Sequence, residues 1–122
     1  MKVIDLFCGV GGLSLGFEKA GFDVVAGVDF WEDAINTFNH NHRNNNGIVE
    51  DIKKFNTKHL PQILAKNKIT GVIGGPPCQG FSSARLSDSS KKMGKINEER
   101  NHLYIDFFNT VKKASPNFFL IE

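Results

Sequence analysis

Cysteine, tryptophan, tyrosine and long apolar runs are all scarce in this 122-residue chain. Its two cysteines, Cys8 and Cys78, stand far apart in sequence, so they form neither a disulfide framework nor a metal cluster. No apolar run approaches the roughly 18–20 residues that span a bilayer, and a charge at Asp5 falls where a signal peptide needs its apolar region. We therefore expect a cytoplasmic protein with a single core, no bound metal and no membrane partner.

Charge is unevenly distributed, although the net charge is only +2. Residues 1–50 hold 3 basic and 7 acidic side chains, a balance of −4, whereas residues 51–122 hold 12 basic and 6 acidic side chains, a balance of +6. A basic second half is compatible with a phosphate backbone as partner. Lysines that merely solvate a surface explain the same pattern more simply, so charge alone does not identify a function.

Strand and helix signals alternate along the chain. Short apolar runs bounded by turn residues predict five strands, at 3–7, 23–28, 47–49, 69–74 and 117–122. Helical spacing of apolar residues predicts helices that end at Gly21, that cover 34–38, that begin near Pro61 and that cover 103–114. A long loop is predicted over about 75–98. Such alternation predicts an α/β fold, a mostly parallel sheet with helices on both faces.

Ligands of such sheets bind beyond the carboxyl ends of the strands. Five segments follow or end a predicted strand and are therefore candidates: 7–12, 29–31, 51–52, 75–82 and residue 122. The agreement between these positions and the unusual residues found there is more informative than any one motif.

The first candidate is the glycine-rich segment 7–12, which lets backbone approach a ligand at a helix N-terminus. Ser14 stands where the dinucleotide fingerprint needs its third glycine, which argues against NAD or FAD. Asp29 ends the second predicted strand, and its carboxylate can accept hydrogen bonds from two ribose hydroxyls. The pair suits an adenosine-containing ligand; the glycines taken alone are equally typical of a tight turn. Cys8 is interpreted as a small buried side chain rather than a nucleophile.

The second candidate is the segment 74–82, Gly-Gly-Pro-Pro-Cys-Gln-Gly-Phe-Ser. Two glycines and two prolines turn and stiffen the chain directly after a buried strand. Cys78 is then presented at the ligand-binding edge of the sheet, where a thiolate can act as a nucleophile. A structural cysteine more commonly lies inside a strand or a helix.

These residues resemble the DNA (cytosine-5) methyltransferase family. Residues 76–82 resemble its catalytic motif, and residues 5–12, Asp-Leu-Phe-Cys-Gly-Val-Gly-Gly, resemble its cofactor motif. Weaker matches follow in the family's order: Asp29, where the family usually has Glu, then Asp51 with Ile52, then residues 100–105, and finally Glu122 in a Glu-Asn-Val motif. The resemblance covers the whole chain, 1–122, and implies a Rossmann-like S-adenosylmethionine-dependent methyltransferase fold.

The resemblance also implies a set of site residues. S-adenosyl-L-methionine is the implied cofactor, with Asp29 on the ribose, Phe30 packed on the adenine and Asp51 at the adenine amino group. The implied cofactor-binding residues are Phe7, Gly9, Val10, Gly11, Gly12, Asp29, Phe30, Asp51, Ile52, Pro76 and Leu103. The implied catalytic residues are Cys78 and Glu122, and the implied DNA contacts are Gln79, Ser82, Arg85, Lys91 and Lys92.

The implied reaction follows from the weak nucleophilicity of cytosine C5. Attack of the Cys78 thiolate at C6 would make C5 enamine-like, and Glu122 would hydrogen-bond N3. C5 would then take the methyl group, a base would remove the C5 proton, and Cys78 would leave. The reacting atoms are inaccessible inside a duplex, so the family flips the cytosine out. A mobile catalytic loop over about 79–99 is expected to close behind it.

The resemblance further implies parts that no segment of this sequence matches: later strands, a second catalytic motif, a target-recognition domain and a C-terminal helix. We therefore expect a sheet that stops after about its fifth strand. Double-stranded DNA and the missing C-terminal part, in the same or a separate chain, are the expected partners. A bacterial restriction-modification enzyme is the expected setting.

Three alternatives stay open from sequence. A transfer-RNA cytosine-5 methyltransferase has the same fold, but Gly80 and Ser82 look more like the DNA enzymes. A non-catalytic cofactor-binding subunit of a split enzyme is disfavoured by the presence of both Cys78 and Glu122. A nucleotide-dependent oxidoreductase is disfavoured by Ser14 and by the Pro-Pro-Cys segment.

Overall fold

The computed structural model describes the backbone of residues 1–77 and 92–122 and the side chains of residues 1–77 and 102–122. Strands and helices alternate as the sequence predicts. The strands are β1 Lys2–Leu6, β2 Asp23–Asp29, β3 Gly47–Val49, β4 Gly71–Gly74 and β5 Phe118–Ile121. The helices are α1 Gly12–Lys19, α2 Glu32–Asn41, α3 Ile52–Lys54, α4 Leu60–Lys66 and α5 Lys92–Ala114, with a π-helical turn at Phe55–His59 between α3 and α4.

All five strands form one parallel sheet in the order β3-β2-β1-β4-β5. The chain moves outward in one direction from β1 to β3 and then returns to place β4 on the other side of β1. That reversal makes the carboxyl ends of β1 and β4 the topological switch point, where an open α/β sheet leaves a crevice for a ligand. The predicted fold class is confirmed.

The sheet has an apolar layer on each face. On one face, α1 and α2 cover strand side chains that include Val3 and Val24, and Phe38 of α2 packs among them. On the other, α3, α4 and α5 cover the Leu6 side chain of β1, and Phe55 and Phe107 from the helical segments belong to the same larger cluster. Alternation along β1 explains the split, because successive side chains of a strand point to opposite faces. Helices therefore flank both faces, as predicted.

The third helical segment begins earlier than the sequence predicts. We expected a helix from about Pro61, but helical structure starts at Ile52, where the Asp51 side chain accepts a hydrogen bond from Lys53 N at 2.9 Å and caps α3. The predicted start near Pro61 is confirmed for α4, which begins at Leu60 with Pro61 in its first turn. The sequence did not predict the helical structure over 52–59 that precedes it. Here Pro61 continues a helix whose preceding turn is π-helical.

The fourth predicted helix is also longer than its apolar spacing indicates. It begins at Lys92 and runs 23 residues, so positions 92–98 of the predicted loop are helical. The stripe that marked it is confirmed, because Phe107 is fully buried and Leu103, Val111 and Ala114 pack against the same core. The remainder of the predicted catalytic loop lies outside the described residues.

Strand β5 forms one edge of the sheet and is partly uncovered. Phe119 and Leu120 are 51% and 39% exposed, and the ring of Phe119 meets that of Phe108, itself 45% exposed, at 5.5 Å. Strand β5 therefore leaves apolar surface at this edge of the described sheet. Among the described helices, none combines the length and the apolar character that crossing a membrane requires.

Candidate functional site

A cavity opens at the carboxyl ends of β1, β2 and β3, beside the switch point. It gathers residues from four separate segments and from α5, far apart in sequence. Its lining residues are Phe7, Val28, Asp29, Phe30, Glu50, Asp51, Ile52, Pro77 and Leu103. Six of these, all but Val28, Glu50 and Pro77, are among the cofactor-binding residues that the sequence predicts.

Asp29 is held in a fixed orientation at the rim of this cavity. Its Oδ2 accepts a hydrogen bond from Gly9 N at 2.9 Å, and its Oδ1 accepts one from Trp31 N at 3.0 Å. Each carboxylate oxygen keeps further lone pairs for donors from a ligand. The predicted pairing of the β2 carboxylate with the glycine-rich loop is therefore observed directly.

The glycine-rich loop needs its glycines for two different reasons. Gly9 has φ +53°, and a side chain placed there would enter open space above the loop. Gly11 has φ +90°, and a side chain there would collide with the rings of His42 and Phe38 below the loop. One glycine thus leaves room for a ligand, and the other lets the loop rest on α2. Val10 between them is exposed, and Gly12 begins α1.

His42 is a site-supporting residue that the sequence did not reveal. Its ring is buried beneath the loop, stacked on Phe38 at 4.1 Å, and its Nδ1 lies 2.9 Å from Glu18 Oε2. The ring therefore carries the loop from one side while Asp29 holds it from the other. No local pattern indicates this role, since His42 lies 31 positions from Gly11 and just past the end of α2.

Glu50 is a second residue that the sequence did not single out. It follows β3 directly, as Asp51 does one position later, so the rule that identified Asp51 applies equally to Glu50. Partial burial acts to raise the pKa of Glu50, but hydrogen bonds from Asp51 N and His59, with Lys54 and Lys58 nearby, lower it overall. The cavity therefore has three acidic side chains at its rim.

The remaining walls of the cavity are apolar. Phe30 is 77% exposed, and its ring is available to a flat ligand. Ile52 and Leu103 contribute aliphatic surface from α3 and α5. Pro77 lines the cavity, whereas the predicted Pro76 is buried beside it. Aromatic and aliphatic walls with a few placed polar groups are typical of small-molecule sites.

Cys8 is buried with 8% of its surface exposed, and its Sγ lies 3.6 Å from the Gly9 carbonyl oxygen. Burial, with Asp5 and Asp29 nearby, raises the pKa of the Cys8 thiol well above its ordinary range. A thiol held in its neutral form is a poor nucleophile. The burial and the raised pKa of Cys8 therefore support its interpretation as a small core side chain rather than a nucleophile.

The predicted catalytic and DNA-contacting segment lies mostly outside the described residues. Cys78, Gln79, Ser82, Arg85 and Lys91 fall in that part, and Lys92 is described only as the first residue of α5. Glu122 is described: its backbone N–H donates to the Gly74 carbonyl oxygen at 3.1 Å. The predicted acid therefore stands beside the end of β4, the strand that leads into Cys78.

The donor and acceptor set of the cavity fits an adenosine moiety. Carboxylates at Asp29 and Asp51 can accept from hydroxyl and amino groups, and apolar surfaces at Phe30, Ile52 and Leu103 can enclose a flat ring. Open space above Gly9 leaves room for a group that crosses the loop toward β4.

Comparison with known proteins gives matches that cover the whole chain. The family of C-5 cytosine-specific DNA methylases matches residues 1–122. The chain is 39% identical to the type II methyltransferase M.NgoPII of Neisseria gonorrhoeae and 38% identical to M.HgiGI of Herpetosiphon aurantiacus; all of the chain is covered, with 33% and 89% of the relatives. A solved putative DNA modification methyltransferase encoded within an E. coli prophage superposes with a TM-score of 0.79 at 40% identity, covering 99% of this chain and 31% of that one.

The chain spans about a third of the length of most of the curated relatives it matches, M.NgoPII among them. Its match to the family is nevertheless continuous from the first residue to the last, and it includes both the cavity at the switch point and the segment that carries Cys78. This chain belongs to the family of C-5 cytosine-specific DNA methylases.

Proposed function

We propose that this chain is the cofactor-binding and nucleophile-bearing part of a DNA (cytosine-5) methyltransferase of a bacterial restriction-modification system. The observation that carries the proposal is the cavity at the switch point. It brings together six sequence-predicted cofactor residues from four separate segments, directly beside the strand that leads to Cys78. The type II methyltransferases among its relatives support the restriction-modification setting.

S-adenosyl-L-methionine is the proposed cofactor, and it supplies a methyl group activated by a positively charged sulfur. Asp29 accepts hydrogen bonds from the ribose hydroxyls, and Asp51 accepts one from the adenine amino group. Phe30, Ile52 and Leu103 enclose the adenine ring. Phe7 and the loop from Gly9 to Gly12 provide the surface beneath the rest of the molecule, with Pro76 and Pro77 at the side nearest Cys78.

Cys78 is the proposed nucleophile, since it follows Pro77, a residue of the cavity wall. Its thiolate forms a bond to cytosine C6, and the electron pair of the C5–C6 double bond becomes available at C5. C5 would then take the methyl group of S-adenosylmethionine, and the electron pair of the broken sulfur–methyl bond would stay with the cofactor sulfur. A base then takes the C5 proton, the double bond re-forms and the Cys78 thiolate leaves.

Glu122 is proposed to hydrogen-bond cytosine N3 while charge develops on the ring. The backbone bond from Glu122 N to Gly74 holds that residue at the end of β4. Double-stranded DNA is the proposed substrate, with the target cytosine flipped out of the stack. Gln79, Ser82, Arg85, Lys91 and Lys92 are the proposed DNA contacts, and a C-terminal part of the enzyme, in the same or a separate chain, is the proposed source of target recognition.

Covalent trapping tests this function. The full-length enzyme is incubated with S-adenosylmethionine and DNA that carries 5-fluorocytosine, because fluorine at C5 cannot leave as a proton does and the adduct accumulates. We expect a denaturation-resistant protein–DNA band. Cys78→Ser removes the band, and Cys8→Ala, a matched change of the other cysteine, keeps it. A parallel arm with 5-fluorocytosine transfer RNA tests the RNA alternative.

Each outcome of this experiment is informative. A band with transfer RNA and none with DNA would show that the substrate is RNA and would favour a transfer-RNA cytosine-5 methyltransferase. The absence of any band, with S-adenosylmethionine binding intact, would favour a non-catalytic cofactor-binding subunit. Failure to bind S-adenosylmethionine would reject both.

A further inference from the structure

A buried polar contact joins the helical segment after β3 to α5, just below the cofactor cavity. Its centre is Asn56, in the π-helical turn, with only 4% of its surface exposed. Asn56 Nδ2 donates to the Asp106 carbonyl oxygen at 3.0 Å, and Thr110 Oγ1 donates to Asn56 Oδ1 at 2.6 Å. Thr110 is fully buried, so both bonds lie out of water.

The π-helical turn explains a third bond to the same residue. Leu60 N donates to the Phe55 carbonyl oxygen five positions back, which is the π-helical pattern. The next donor in that pattern would be Pro61, which has no N–H, so the Asn56 carbonyl oxygen lacks a partner within its own helix. Lys113 Nζ of α5 donates to that oxygen at 2.9 Å.

Asn56 is therefore held by three positions of one stripe of α5: 106, 110 and 113. Spacings of four and three residues place them on the same helix face. We name Asn56, Asp106, Thr110 and Lys113 the Asn56 lock. Buried polar contacts of this kind fix one relative placement of two helices, whereas apolar contacts alone tolerate sliding. Asp106 takes part through its carbonyl oxygen, and its side-chain Oδ2 has no hydrogen-bond partner among the described residues.

The lock lies one turn from the cavity on both helical segments. Ile52 precedes Asn56 by four residues, and Leu103 precedes Asp106 by three, so each shares a face with the lock. Ile52 and Leu103 both line the cavity. Since α5 contributes Leu103 as its one lining residue among those described, its placement against the π-helical turn determines the width of the cleft between these two side chains.

We propose that the Asn56 lock positions Leu103 against Ile52 and thereby sets the width of the cleft that takes the adenine ring. This rests on the proposed function, since the ring is that of S-adenosylmethionine. Asn56 and Thr110 are positioning residues: neither lines the cavity, and they act through the helices that do.

The test measures ligand affinity on folded protein. Dissociation constants of S-adenosylmethionine and of adenosine are determined by calorimetry for the whole chain, at a temperature where circular dichroism shows each variant folded. Thr110→Val removes the hydroxyl at nearly constant volume. Because loss of this buried hydrogen bond lets α5 shift against the π-helical turn, we expect both ligands to bind about tenfold more weakly. Thr110→Ser keeps the hydroxyl and restores affinity.

Thr57→Val is the matched control. Thr57 lies in the same π-helical turn, but it is exposed and its Oγ1 bonds only to Lys53 and Lys54 carbonyl oxygens of its own helix. It should leave both affinities unchanged. Asn56→Leu should weaken binding as Thr110→Val does, and the double variant should lose little more, because both changes break one network.

The outcomes separate the lock from the proposed function. If wild type binds both ligands and Thr110→Val binds them within twofold of wild type, the lock has no positioning role, even if its loss lowers the unfolding temperature. Equal loss in Thr57→Val would also overturn the proposal. If wild type binds neither ligand, it is the proposed function that fails.

Discussion

Burial of Asp5 predicts a pH-dependent loss of stability that one substitution should remove. Asp5 lies in the middle of β1 with none of its surface exposed, and its Oδ2 accepts a hydrogen bond from Ser14 Oγ at 2.6 Å. Among the side chains that the structure describes, none donates to its Oδ1. Burial raises the pKa of Asp5 from 3.8 to about 7, although Ser14 and His42 act to lower it and Asp29 adds to the rise.

The sign and size follow from linkage. The folded chain binds the Asp5 proton more tightly than the unfolded chain does, so protonation favours folding and ionisation opposes it. Below the unfolded pKa of 3.8 the carboxyl is protonated in both states and does not lower the free energy of unfolding. Above that pH the destabilisation grows until the pH passes the folded pKa of about 7. One pKa unit corresponds to about 1.4 kcal/mol, so the full cost is about 4 kcal/mol.

Asp5→Asn tests this because an amide stays neutral at every pH and can still accept from Ser14. Urea unfolding followed by circular dichroism gives the unfolding free energy of both proteins at pH 4, 6 and 8. The unfolding free energy of Asp5→Asn, taken relative to that of wild type at the same pH, should rise by about 4 kcal/mol between pH 4 and pH 8. Asp33→Asn, which neutralises an exposed carboxylate of α2, is the control. A difference between Asp5→Asn and wild type that stays constant over this range would refute the reasoning.

Three further predictions concern the site and the sheet edge. Asp29→Ala removes a charge-assisted acceptor and should weaken S-adenosylmethionine binding about 10–100-fold by calorimetry, with unchanged affinity counting against its ribose role. In the full enzyme, Cys78→Ser should abolish radiolabelled methyl transfer and leave cofactor affinity nearly intact; residual turnover within about tenfold of wild type would contradict the nucleophile assignment. The 122-residue chain alone should transfer no methyl groups to DNA, and clear transfer by it would overturn this expectation. The chain should also self-associate through β5, so Phe119→Lys should weaken the self-association measured by sedimentation.

Much of the candidate site is predictable because parallel strands converge at one edge. Asp29 ends β2 and Asp51 closely follows β3, so knowing the strand ends suffices to bring them together. Leu103 is reached differently, from its resemblance to the family and from the apolar stripe of α5. Glu50 was within reach of the same rule as Asp51, but two adjacent acids after a strand look like an ordinary solvated turn.

Other parts of the site depend on contacts that no local pattern encodes. His42 lies past the end of α2 in an asparagine-rich segment, and its burial comes from Gly11, which leaves the space that the ring fills. The choice of glycine and the choice of histidine are explained only together. A pattern read along the chain assigns Gly11 to a turn and leaves His42 unexplained.

The π-helical turn shows most clearly why the remainder was missed. Pro61 and the apolar spacing after it predict a helix start, and by intrinsic propensity that prediction is sound. That start is where α4 begins, but α3 and the π-helical turn precede it without a break, and Pro61 leaves the Asn56 carbonyl oxygen without an intrahelical donor. That arrangement is stable because Lys113, 57 positions along, donates to that oxygen. The carbonyl oxygen that lacks an intrahelical donor lies in the π-helical turn, and the lysine that donates to it lies on α5. The helical structure before Pro61 could therefore be inferred only by knowing that α5 packs there.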